Sequence, residues 1–166
     1  IPKIFLFFKN ELLEENKDDM IKFFNIEKDG PRPRKDIAKY SDVKEEFSYA
    51  IDSMFKQENY SKYDKDKTYD VELIKEYVEQ IDLSVTNEEW FNKTKEFAIE
   101  HGYAGSPKDY KKSPENYKGH VSDLCEALRV MITGRTKSPD LFSIMKILGK
   151  DRINNRIEQY KEYSNK

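Results

Sequence analysis

The chain has 166 residues with 37% charged and 37% hydrophobic side chains and a formal net charge of -2, enough for one ordinary domain or two small ones with a real core. No stretch approaches the roughly 18 apolar residues that a membrane span needs, and the lone Cys125 excludes an intrachain disulfide. The charge is uneven: residues 1–102 carry 17 Lys plus Arg against 24 Asp plus Glu, net -7, whereas residues 103–166 carry 13 against 8, net +5.

Apolar residues recur at helical spacing almost throughout and no segment alternates long enough for a strand, so the expected class is all-α. A first helix is expected near 3–14 and a second near 18–25, before Gly30-Pro31-Arg32-Pro33 breaks the chain. Asp36 is placed to cap a longer helix that carries Ile37, Tyr40, Phe47, Ile51, Met54 and Phe55 on one side. The stretch 56–69 is rich in Lys, Asp and Tyr and reads as a connector too polar for the core. Asp70 opens a helix with Val71, Ile74, Val78 and Ile81, and Thr86-Asn87-Glu88-Glu89 is a capping-box start for the helix of Trp90, Phe91, Phe97 and Ala98, which ends near Gly102. Residues 103–119 read as a long loop of the kind that carries function. Three further helices are expected: about 120–132, stopped by Gly134; about 139–148, with Ser138 as cap and Pro139 at its first position; and about 151–162, after a stop at Gly149. The chain begins at Ile1 rather than Met, so it is expected to be a piece of something longer.

No complete catalytic site is legible. His101 and His120 lack Cys or His companions at metal-ligand spacing, and His101 beside Gly102 fits a helix C-terminus. Cys125 lies among Val121, Leu124 and Leu128, the setting of a buried reduced thiol. Gly134-Arg135-Thr136-Lys137-Ser138 lacks the spaced glycines and the Gly-Lys-Ser/Thr ending of a phosphate loop. The same stretch does offer the means to hold a nucleic-acid strand. A helix N-terminus at Ser138-Pro139-Asp140 favours an anion, Arg135 and Lys137 stand beside it, and Arg129 one turn earlier has the fork that grips a base edge or phosphate. Unstacked bases can lie on Pro139 and Leu141. A helical adaptor that docks a protein partner through the Phe/Tyr-rich first half is the competing class, although most of those aromatics fall at core spacing.

The run Ala127-Leu128-Arg129-Val130-Met131-Ile132-Thr133-Gly134-Arg135, then Ser138-Pro139-Asp140-Leu141-Phe142 and Ile147-Leu148-Gly149-Lys150-Asp151-Arg152 closing on Arg156-Ile157, resembles the C-terminal, anticodon-binding region of bacterial-type glutamyl-tRNA synthetases. Trp90-Phe91, the Gly102-Tyr103-Ala104 turn, the lysine loop from Tyr110 to Lys118, and Pro33-Arg34-Lys35-Asp36-Ile37-Ala38-Lys39 with Ser41-Asp42-Val43 look like one subgroup of that family. The resemblance implies two helical subdomains, 1–80 and 81–166. It places Arg129, Ser138, Pro139 and Leu141 at the first two anticodon bases, and Arg34 at the third, with Arg32 and Lys28 as alternatives. Arg135, Lys137 and Lys112 would supply phosphate contacts. It further implies a cytoplasmic, monomeric parent enzyme that attaches glutamate to its tRNA. Whether glutamine tRNA is also charged stays open. The chain has neither the His-Ile-Gly-His-type nor the Lys-Met-Ser-Lys-Ser-type motif, so this segment is expected to need no cofactor, ATP and magnesium belonging to the missing catalytic domain, and to be inactive alone.

Overall fold

The computed structural model describes residues 16–35, 46–57, 59–60 and 67–166. The chain forms two compact units, Ile1–Lys56 and Gln57–Lys166. Among the described residues the regular structure is helical, as the spacing predicts, with an isolated bridge between Ala104 and His120 as the sole extended pairing. No helix of the described residues is long and apolar enough to cross a membrane.

In the first unit, α1 (Lys17–Asn25) buries Met20 and Phe23, its inward face at i and i+3. A 3₁₀ turn (Ser48–Ala50) lies against it. Phe24 stacks on Phe47 with centroids 4.6 Å apart, and Phe23 meets Tyr49 edge-on at 5.6 Å. The helix expected near 3–14 lies outside the described residues. The long helix expected from Asp36 is not seen in the part that is described: residues 48–55 run as the 3₁₀ turn and further turns, which bury Tyr49, Ala50, Ile51 and Phe55 together. Four inward residues within seven positions do not fit one helical stripe, and the chain coils more tightly to bury them all.

The second unit holds α2 (Val71–Gln80), α3 (Asn87–Glu100), the short α4 (Pro107–Lys112), α5 (Val121–Thr133) and α6 (Leu141–Ser164). α6 packs on α2 and α5, and α3 packs on α5. Trp90 of α3 stacks on Phe142 of α6 at 4.9 Å, and Trp90, Phe97, Leu124, Leu128, Leu141 and Leu148 are all buried. Tyr77 of α2 meets the Phe97 ring at 5.2 Å, and its hydroxyl lies 2.7 Å from Thr94 Oγ1. Thr94 spends its own proton on the Trp90 carbonyl, so Tyr77 is the donor.

The caps follow the sequence closely. Asp70 accepts from the Leu73 amide, Thr86 and Glu89 form a reciprocal capping box, His101 caps α3 and stacks on Phe97, and Gly134 closes α5 at φ 69°. Gly149, expected to separate two helices, is the kink inside α6, with φ 73° and ψ 163°.

The compact units divide at Lys56/Gln57, and α2, which buries Ile74, Tyr77 and Val78, packs on α5 and α6 in the second. Two expectations are corrected. The 56–69 stretch contributes a core residue after all: Tyr60 is fully buried, edge-on to Tyr160 at 5.2 Å. The 103–119 loop holds α4 and a 3₁₀ turn (Pro114–Asn116), and its two ends are stitched by bonds from Lys118 N to Gly102 O, Ala104 N to Gly119 O and Val121 N to Ala104 O, each 2.9 Å.

Candidate nucleic-acid interface

The last turn of α5 and the turn 134–140 bring Arg129 and Ser138 together. Arg129 Nε donates to Ser138 Oγ at 3.0 Å, and the Ser138 hydroxyl donates to the Pro139 carbonyl at 2.8 Å. The turn is braced from inside by Thr133, whose hydroxyl donates to the Arg129 carbonyl at 2.7 Å and accepts from the Arg135 amide at 3.2 Å. Among the described residues no protein acceptor takes the two terminal nitrogens of Arg129. The guanidinium is therefore gripped along its Nε edge and presents its far end, two amino groups in a fixed plane, as a fork.

Glu126, one turn earlier, is the natural competitor for that fork, but it is engaged elsewhere. Lys67 donates to its carboxylate and Tyr69 OH does so at 2.9 Å. Burial raises the carboxyl's pKa, yet these two hydrogen bonds and the charges of Lys67 and Arg129 outweigh it, holding Glu126 below the usual carboxylate range. Cys125, expected to be buried, is half-buried, its thiol pushed up to about 11 by desolvation against a smaller opposing effect of the Arg129 charge.

Two parts of the sequence reading do not survive the geometry. The start of the last helix is not free for an anion: Asp140, not Ser138, is its cap, accepting from Ser143 N at 2.8 Å and from Asn87 Nδ2 at 3.1 Å. A carboxylate already fills the amide end, so a phosphate there would meet like charge. Leu141 is 3% exposed and belongs to the core, leaving Pro139, half-buried, as the apolar surface of the turn. Ser138-Pro139-Asp140 offers two capping side chains, and sequence order alone does not rank them.

The remaining candidates are dispersed. Arg135 is half-buried and Lys137 exposed on the same turn. Lys112 is exposed in the last turn of α4, where its ammonium pairs with Asp109 at 3.3 Å. Arg34 is in the other unit, half-buried, with its guanidinium 5.6 Å over the Phe47 ring; its amide donates to Glu27 O at 2.9 Å and its carbonyl accepts from Lys28 Nζ. Arg34 and Lys28, weighed as alternatives, thus share one turn, while Arg32 projects from it exposed. Among the described residues no group of three His, Cys, Asp or Glu is gathered to hold a metal.

Comparison with known proteins matches residues 111–161 to the anticodon binding domain family. A glutamate–tRNA ligase of Clostridium perfringens (strain SM101 / Type A) is 39% identical over 153 residues, 89% of this chain and 28% of the relative. One of Acetivibrio thermocellus is 38% identical over 148 residues, 89% and 27% of the two chains, and one of Sorangium cellulosum (strain So ce56) 31% identical over 156 residues, 90% and 26%. The chain thus spans a little over a quarter of the length of these relatives. No solved structure gives a significant match.

Proposed function

We propose that this chain, which belongs to the glutamate–tRNA ligase family and carries its anticodon binding domain, binds the anticodon arm of a tRNA and selects the tRNA for glutamate. The observation that carries the reading is the Arg129 fork, fixed by Ser138 at one edge and open at the other. Such a fork accepts two acceptors in one plane, the pattern of a guanine edge or a phosphate, and Pro139 beside it suits an unstacked base. Arg129, Ser138 and Pro139 would meet the first two bases, Arg34 the third, and Arg135, Lys137 and Lys112 the phosphates. Charging itself would rest on ATP and magnesium bound outside these residues, since the chain carries no motif to hold them; its part in a cytoplasmic, monomeric enzyme would be selection, in which a correctly held anticodon positions the acceptor end.

The test is a salt titration of binding between the chain and an anticodon stem-loop of glutamate tRNA. With three phosphates neutralised, log affinity should fall against log salt with a slope of about -2. A flat response, or salt-insensitive binding of a peptide with none of RNA, would overturn the proposal and favour a protein adaptor.

A further inference from the structure

The last four carbonyls of a helix have no partner within it, and at the end of α5 they are Val130, Met131, Ile132 and Thr133. Val130 O is taken by the Gly134 amide at 2.7 Å, as a glycine cap requires. The next two are taken from far away in sequence. Tyr60 OH lies 2.9 Å from both Met131 O and Arg156 O, so its single proton is shared between them, and Arg156 Nη1 donates to Ile132 O at 2.5 Å. Arg156 is 1% exposed. Burying a guanidinium is costly unless it is well paired, and an apolar side chain of similar volume fills such a space at less expense. Here its positive charge is set against the carbonyl end of the α5 dipole, just inside the Gly134 cap.

What lies at that stop is the recognition turn. Arg129 is one turn inside it, and Arg135 and Ser138 follow within a few residues. Asn59 packs against the turn as well: a Cβ added at Gly134 would meet Asn59 Cβ at 3.1 Å and its carbonyl oxygen at 3.2 Å. We infer that Tyr60 and Arg156 are positioning residues for anticodon selection, holding the end of α5 from behind so that the Arg129–Ser138 pair faces the base in one orientation. The inference rests on the proposed tRNA reading. Neither residue touches RNA in this scheme; each acts through the carbonyl it holds. Burial pushes the Tyr60 phenol above its ordinary range, which keeps it a donor at any working pH.

The experiment compares the full chain with Tyr60→Phe, Arg156→Met and Arg156→Lys, measuring dissociation constants for the glutamate-tRNA anticodon stem-loop and for one with its second anticodon base changed. Helicity and melting temperature are recorded alongside. Tyr60→Phe keeps the ring contacts with Tyr160 and Tyr163 and loses only the donor, so the folded variant should discriminate between the two loops about 3- to 10-fold less well. Arg156→Lys, which keeps a cationic donor, should recover part of the discrimination that Arg156→Met loses. A purely structural role predicts lowered melting temperatures with the cognate preference intact. That outcome overturns the inference, and if Arg156→Met fails to fold, Tyr60→Phe decides alone. A native chain that binds both loops equally refutes the tRNA reading and this inference with it; a native chain that discriminates, beside an equally discriminating Tyr60→Phe, refutes the inference alone.

Discussion

Replacing Arg129 by alanine separates reading of a base from mere attraction to RNA. Among the described residues the side chain makes one protein hydrogen bond, Nε to Ser138 Oγ at 3.0 Å, and the Ser138 hydroxyl keeps its bond to the Pro139 carbonyl when the arginine is gone. No buried group is orphaned, so the folding cost should be only about 1 kcal/mol. Binding should suffer more: loss of a forked contact costs about 1–3 kcal/mol, or roughly 5- to 150-fold in affinity. Arg129→Lys retains the charge but not the plane, so it should recover affinity for all RNAs while leaving the cognate preference depressed. Lys112→Ala is the control. Its ammonium is exposed and, among the described residues, paired only with Asp109, so its loss should weaken every RNA by a similar small factor. The assay is equilibrium binding, in one buffer, to stem-loops with the cognate anticodon and with single changes. Equal loss of cognate and altered loops in a folded Arg129→Ala variant would refute base reading by this residue.

Two further outcomes test the scaffold. Gly149→Ala places a Cβ in open space, yet φ 73° with ψ 163° is a region that essentially only glycine enters; the substitution should cost about 1–3 kcal/mol and lower the melting temperature on the order of 5 °C, and an unchanged melting temperature would show that the kink relaxes freely. Cys125, its thiol pushed up to about 11, should be alkylated at pH 8 about a hundredfold more slowly than in the unfolded chain, with a rate still rising through pH 10; a plateau below pH 9 would contradict the upward shift.

Local chemistry was legible in the sequence wherever a signal and its consequence lie within one helical turn. Thr86 and Glu89 are three residues apart and cap each other; Gly134 and Gly149 mark a stop and a kink; the inward positions of α2, α3 and α5 follow from spacing alone. Tyr60 was not legible, because its partners lie 71 and 96 residues away and its neighbours Asn59, Ser61 and Lys62 are those of a polar connector. Asp140 displaced Ser138 as the cap through a tertiary contact, the bond from Asn87. The resemblance places Arg129 and Ser138 at the same two bases, but their direct hydrogen bond across the turn depends on the αL conformation of Gly134, which sequence suggests, and on the Thr133 brace, which it does not.

The charge arrangement explains why one arginine on an otherwise ordinary helix is available to a ligand. Glu126 and Arg129 are three apart on α5, the spacing at which carboxylate and guanidinium normally pair on a helix surface. Had they paired, the fork would be satisfied internally, and RNA would have to break an ion pair before binding. Lys67 and Tyr69, from the segment preceding α2, take the Glu126 carboxylate instead, while Ser138 from the far side of the turn takes the Nε edge of Arg129. Among the described residues the guanidinium is thus held by a neutral hydroxyl with no carboxylate at contact distance, and the ionised Glu126 behind it is taken by Lys67 and Tyr69. A planar cation fixed in direction but not in partner favours a ligand that brings two acceptors and negative charge together, and a nucleic-acid strand supplies both.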